Sequence, residues 1–170
     1  MPATVNLPEI KGCRVRRLAE ADKSELKAAF VRDREYFDDI NGRDIPLDEI
    51  CSHVPPGRLM QDKHLFVMER EGQVAGMIDI IEGYPEPGVW YLGFLYIVDR
   101  FRGGLGRQAL HGLYAWAKAQ GGHAIRLGVV EPNLRARHLY ATEGFAFEAI
   151  REVDPSINRM RRTLVLSRRL

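Results

Sequence analysis

The sequence predicts an α/β fold: one mixed, mostly antiparallel sheet in a single domain, flanked by helices on both faces. Three observations predict it. Two apolar, strand-length segments face each other across a two-residue turn, a long amphipathic helix follows a Gly-rich loop, and helices alternate with strands thereafter with no repeat or linker between them. At 170 residues, 45% apolar and 28% charged, the chain suits one domain over residues 1–170 whose core needs neither disulfide nor metal.

The elements follow in order. Residues 13–18 (Cys13-Arg14-Val15-Arg16-Arg17-Leu18) alternate as an edge strand does, and Asp22-Lys23-Ser24-Glu25 opens a helix carrying Leu26, Ala29 and Phe30. Between Asp33 and Pro56 polar residues and breakers loosen the pattern into a mobile segment with a short helix after Pro46. Residues 65–70 and 73–81 flank Glu71-Gly72 as a β-hairpin. Residues 89–98 are apolar on both faces, as a buried central strand requires, and Gly93 within them marks a bulge or a close backbone approach. Leu105, Ala109, Leu110, Leu113, Tyr114 and Ala117 recur at helical spacing, so a helix runs from Gly104 to Gln120 and ends at Gly121-Gly122. A strand over 123–130, a helix capped by Asn133 and stopped by Gly144, a strand from Phe145 and a last strand over 160–166 complete the chain.

Several function classes drop out on composition. No apolar run approaches the roughly 20 residues of a membrane span, and Met1-Pro2-Ala3-Thr4-Val5-Asn6 lacks a signal-peptide pattern, so a cytoplasmic protein without a membrane partner is expected. Cys13 and Cys51 have no paired spacing and read as reduced, structural thiols. His53, His64, His111, His123 and His138 are scattered without ligand spacing, so no metal is expected. A net charge of +2 implies no polyanionic partner. The last twenty residues hold six Arg, but without interleaved aromatics they suit a strand's exposed side better than a nucleic-acid platform.

Arg102-Gly103-Gly104-Leu105-Gly106-Arg107 joins a buried strand to a helix, where free backbone N–H groups and the helix dipole favour an anion and glycines let the backbone approach it. Neither the three-glycine dinucleotide fingerprint nor the Gly-Lys-Ser/Thr of a P-loop is present, so a nucleoside triphosphate is not the expected anion. Asn133, Ala136, Arg137 and Tyr140 fall at i, i+3, i+4 and i+7, one helical stripe that can face one ligand.

Residues 95–110, with this loop, and residues 133–145, with Asn133, Leu139-Tyr140 and Gly144-Phe145, together resemble the GNAT superfamily of N-acetyltransferases over nearly the whole chain. The resemblance implies that acetyl-CoA is the co-substrate and that the loop formed by Arg102, Gly103, Gly104, Leu105, Gly106 and Arg107 holds its pyrophosphate through backbone amides. It also implies that backbone groups of Tyr96 and Ile97 pair with the pantetheine, that Asn133 touches the CoA arm and that Tyr140 stands near the thioester sulfur. Arg102 sits one residue closer to Gly104 than the family pattern has it, which leaves its side chain without an assigned role. The implied reaction is direct transfer of acetyl to a primary amine of a small molecule or peptide in one ternary complex. With no His at a partnered spacing, neither Cys13 nor Cys51 suggests an acyl-enzyme.

The base is less well marked. The strand over 89–98 has no carboxylate, so Asp79 and Glu82 on the preceding strand are the candidates, with a water chain as the alternative. Seven acidic residues between Asp33 and Glu49 either attract a cationic amine or form a solvated surface. A CoA-binding module without activity, or an acyltransferase for a longer acyl chain, are the competing readings. A homodimer, the commonest soluble oligomer, is the assembly left open.

Overall fold

The computed structural model describes residues 6–37, 46–152 and 162–170. The strands within it are β1 (Arg14–Arg17), β2 (Lys63–Arg70), β3 (Gln73–Glu82), β4 (Val89–Ile97), β5 (Ala124–Val130), β6 (Ala146–Arg151) and β7 (Thr163–Arg169). The helices are α1 (Lys23–Arg32), the single turn α2 (Arg34–Tyr36), α3 (Leu47–Ser52), α4 (Leu105–Ala119) and α5 (Leu134–Thr142). All of these strands join one sheet in the order β1-β2-β3-β4-β5-β7-β6, antiparallel except for the β4–β5 pair. The α/β fold read from the sequence is thus observed, with β1 at an edge.

Local chemistry accounts for most boundaries. Glu71 and Gly72 take φ of 54° and 72°, the paired positive values that a two-residue hairpin turn of matching twist requires. The Asn133 side chain accepts a hydrogen bond from the Ala136 N–H at 3.1 Å and so caps α5, and Gly144 leaves that helix at φ 83°. Asp22 departs from expectation. Its carboxylate accepts from the Ala19 N–H and from Arg16 at 2.7 Å, closing the turn before α1 instead of capping the helix.

β4 is the spine. Asp79 of β3 pairs with Phe94 while its neighbour Ile80 pairs with Leu92, so Gly93 is an extra residue on β4, the bulge its composition forecast. The bulge switches parity. Trp90 and Leu92 before it, and Leu95 and Ile97 after it, all face α4, whereas Phe94 and Tyr96 face α1. Helices therefore cover both faces, with Leu26 and Ala29 of α1 packed on one and Leu105, Ala109, Leu110, Leu113 and Ala117 of α4 on the other, all buried. Each fully buried Leu or Ile contributes on the order of 1.5–3 kcal/mol.

Two expectations are corrected. The loosely patterned stretch after Asp33 is not a mobile segment where it is described, because Phe37, Leu47, Ile50 and Cys51 are buried in the core. Polar spacing hid this. Asp48 draws α3 against α1 through Lys23 and Lys27 at 3.3 and 3.2 Å. The last strand spans Thr163–Arg169, begins later than its apolar pattern suggested, and lies between β5 and β6. Residues 160 and 161 of the expected strand lie outside the described residues.

On the α4 face His64 packs its ring among Phe66, Trp90 and Trp116 at centroid distances of 6.2, 5.6 and 5.5 Å, and both ring nitrogens are shielded without a hydrogen-bond partner among the described residues. Burial, and secondarily the Arg17 charge, holds its pKa below the usual value. Because the unfolded chain binds this proton more readily, the neutral ring's contribution to stability is complete above about pH 6.5 and declines as the pH falls below it. The melting temperature should therefore fall more steeply between pH 7 and 5 in the native protein than in His64→Phe; parallel profiles would show that the ring titrates as freely folded as unfolded.

Candidate active site

β4 and β5 pair only from Val89↔Ala124 to Leu92↔Leu127. Beyond that point the strands part, and each carries an exposed glycine at its first unpaired position, Gly93 on β4 and Gly128 on β5. β4 stays bonded to β3 up to Ile97. The Val98 N–H donates to Ala75 at 2.8 Å, so by strand alternation the peptide groups of Tyr96 and Phe94 face β3 and those of Leu95 and Ile97 face the gap. The Tyr96 peptide groups, expected to face a ligand, are thus turned to β3, and it is Leu95 whose peptide groups face the gap beside those of Ile97. The bulge is the signal that would have shifted this assignment by one residue.

The gap leads to the Gly-rich loop. Gly103 and Gly104 adopt φ of 112° and 113°, a conformation L side chains rarely take, and a Cβ on either would meet nothing within 4 Å. Gly104 is the residue at which α4 begins, and the first intrahelical bond there runs from the Gln108 N–H to the Gly104 carbonyl at 3.1 Å. The amides of Gly104, Leu105, Gly106 and Arg107 thus have no partner within the helix and sit at its positive end.

α5 closes the third side. A cavity of about 350 Å³ is lined by Leu95, Tyr96 and Ile97, by Arg102, Gly103, Gly104, Gly106 and Arg107, and by α5 residues including Asn133, Ala136, Leu139 and Tyr140. Among the described residues no carboxylate lines it, while Arg102, Arg107, Arg135 and His138 do. Such a site takes an anion at the loop and an extended chain bearing amides along the free edge of β4.

Most predicted residues thus converge, and some do not. The Leu105 side chain packs in the core, 1% exposed, as its place in the apolar stripe of α4 predicts, and leaves its amide for the loop. Arg137 leaves the expected stripe and donates to the Glu131 carbonyl at 2.9 Å. Arg102 lines the cavity, but its guanidinium is engaged elsewhere: Nη2 lies 2.9 Å from Asp33, Nη1 lies 3.2 Å from Asp99, and Nε donates to the Ile97 carbonyl at 3.2 Å. The Tyr96 hydroxyl donates to the same Asp33. No sequence spacing marked Asp33, 69 residues from Arg102. Of the other acidic residues in its stretch, Asp48 pairs with lysines, while Asp38, Asp39 and Asp44 lie outside the described residues.

The two base candidates separate. Glu82 is exposed at the end of β3, paired with Trp90, well away from the cavity. Asp79 is buried beside the bulge, 2.8 Å from the Lys63 ammonium, and a Cβ at Gly93 would come within 2.7 Å of its Oδ2. Burial raises its pKa, against the opposing pull of Lys63. Among the described residues no group of three or more His, Cys, Asp or Glu could hold a metal, and no helix is long and apolar enough to cross a membrane.

Among solved structures, an acetyltransferase from Thermus thermophilus is similar at a TM-score of 0.74 and 22% identity, over 95% of this chain and 99% of that one. The ribosomal-protein-alanine N-acetyltransferase from Brucella melitensis has a TM-score of 0.69 and 24% identity, over 92% and 99% of the two chains. An acetyltransferase from Salmonella typhimurium that modifies the N-terminal serine of 50S ribosomal subunit protein L7/L12 has a TM-score of 0.74 and 13% identity, over 94% and 96%. At these identities the likeness is one of fold. No curated protein matches the chain. Residues 24–145 match the sequence model of one family, a span that takes in α1, the parted strands, the glycine loop and α5, and on that match the chain belongs to the acetyltransferase (GNAT) family.

Proposed function

We propose that this acetyltransferase is a single-domain N-acetyltransferase that transfers acetyl from acetyl-CoA to a primary amine of a small molecule or peptide, by direct attack in a ternary complex. One observation carries the reading: the cavity joins the amides at the start of α4, which lack helical partners, to the free edge of β4. A pyrophosphate suits the first and a chain of amides suits the second, and the cationic lining favours that order. The co-substrate supplies an activated acetyl thioester; the chain's own groups supply the rest.

In this reading the loop amides and the cationic lining hold the phosphates, and Leu95 and Ile97 pair with the pantetheine. Asn133 orders the start of α5 beneath it. Tyr140, buried and lining the cavity, protonates the departing sulfur. Asp79 serves as base in preference to Glu82, because its buried carboxyl has a raised pKa and it adjoins the exposed Gly93 where the strands part. The amine then enters from the α1 face while the thioester lies against α4 and α5. Peptide N-termini are an acceptor class to assay first, since two structurally similar proteins act on ribosomal proteins.

Acetyl-CoA at a hundredfold excess over its dissociation constant should stabilise the fold by about 2.7 kcal/mol. Thermal melting measures this directly, and an unmoved melting temperature with both CoA and acetyl-CoA, together with silent calorimetry, would refute the assignment. A Cβ at Gly106 meets Leu139 at 3.4 Å, ordinary contact, so a side chain there enters the cavity without breaking the fold. Gly106→Asp should accordingly fold but lose at least about tenfold in CoA affinity through like-charge repulsion. Unchanged affinity would move the phosphate site elsewhere.

Tyr140→Phe keeps the ring and its 5.4 Å packing on Phe145 while removing the donor. Acetyl-CoA binding should stay near native while kcat falls roughly 10²-fold or more. Full turnover with chemistry rate-limiting would make Tyr140 a packing residue only.

A further inference from the structure

We infer that Asp33, at the end of α1 on the opposite face of the sheet, is a positioning residue for the anion-binding loop and acts through Arg102. The inference rests on the proposed binding of CoA at that loop.

Arg102 immediately precedes Gly103 and Gly104, the two residues of the loop with left-handed backbone and no side chain to pack. Fixing such residues costs backbone entropy, and glycine loses the most freedom of any residue. Whatever anchors Arg102 therefore shortens the free loop by one end. Its planar fork is anchored on three sides, by Asp33 at 2.9 Å, Asp99 at 3.2 Å and the Ile97 carbonyl at 3.2 Å. These anchors differ in quality. The Asp99 side chain is 73% exposed, so solvent screens that pair, whereas the Asp33 side chain is 11% exposed.

Asp33 is itself held. The Tyr96 hydroxyl donates to it, and Tyr96 is buried on β4 among Phe30, Phe37 and Phe94. Burial, and next the Asp33 carboxylate, push that hydroxyl's pKa above its usual range, so it is a donor at neutral pH. A rigid line thus runs from α1 through Asp33 and Arg102 to the loop. The third contact adds specificity, because Ile97 is one of the two residues whose peptide groups face the gap. The same guanidinium thereby sets the end of the β4 edge and the start of the glycine loop, the two surfaces that one ligand must span.

The test measures CoA binding by calorimetry on the native protein, Asp33→Asn, Arg102→Gln and the double variant, with melting curves to confirm folding. Each single change should weaken CoA binding by about tenfold, and the double change by little more than either, since the two groups act as one unit. Hydrogen exchange at residues 103–107 of the CoA-free protein should speed up in Asp33→Asn while that of α5 is unchanged, and Asp33→Glu should recover part of the affinity. A general loss of stability would move neither selectively. If Asp33→Asn does not fold, Arg102→Lys, which keeps the charge and loses the fork, is expected to show the same tenfold loss and loop exchange. Native-like CoA affinity in a folded Asp33→Asn or Arg102→Lys, or losses that multiply to about a hundredfold in the double variant, overturns the inference. Native protein that does not bind CoA overturns the reading of the cavity itself, and the inference with it.

Discussion

A strand in the middle of a sheet serves two ladders, and β4 serves its second for only four residues. Past Leu92 the bulge at Gly93 turns the strand while β5 keeps its course, and from that divergence the arrangement of the site follows. The gap leaves the peptide groups of Leu95 and Ile97 without a strand partner, the Ile97 carbonyl accepting instead from Arg102, gives α4 and α5 a wall to share, and leads to the loop at which α4 begins. Glycine stands on both strands at the parting. A side chain at 93 would strike the Asp79 carboxylate at 2.7 Å and one at 128 would strike Thr163 at the same distance, so neither strand tolerates a Cβ there without movement.

Charge is distributed to suit the same geometry. The cavity lining is cationic, and nearby carboxylates pair with its cations from outside: Asp33 with Arg102 at 2.9 Å, and Glu143 with Arg107 at 3.9 Å and with His111 at 2.7 Å. On the α1 face the balance reverses locally, where Asp79 is buried against Lys63. Burying such a pair is seldom worth its desolvation cost in stability alone. In the proposed reaction the sheet therefore holds the co-substrate on its α4 face and the base, Asp79, on its α1 face, with the parted strands between them.

How much of this was legible in the sequence depends on how local the cause was. The hairpin at Glu71-Gly72, the bulge at Gly93, the cap at Asn133 and the start of α4 each follow from a few neighbouring residues, and each was readable. So was the convergence of the loop with the α5 stripe, because two local motifs with a common ligand imply proximity. Three things were not. The parity switch at Gly93 put the peptide groups of Leu95, not those of Tyr96, on the gap, since a bulge can be foreseen without knowing which partner it opposes. Burial of Phe37, Leu47 and Ile50 was hidden by the polar residues between them, of which Asp48 turns outward to its lysine partners. The Asp33–Arg102 contact joins positions 69 apart with no shared period, and only the folded sheet brings them together.

The free edge of β4 also limits what it contributes to binding. Leu95 and Ile97 are half-buried while their neighbour Tyr96 is buried, so their outward peptide groups lie where solvent reaches them. A buried edge with no partner would cost several kcal/mol, and the gap escapes that cost by remaining open. The same openness means that a ligand amide replaces water instead of filling an unmet need, so each such hydrogen bond yields about 0.5–1.5 kcal/mol net. A few of these bonds set register more than affinity. In the proposed complex, affinity comes mainly from the anion at the α4 amides and from apolar contact with Leu139 and its neighbours, scaled by the ordering of the glycine loop. In that complex, strand pairing positions the reactive end of the ligand near Gly93 using energy gained at the other end.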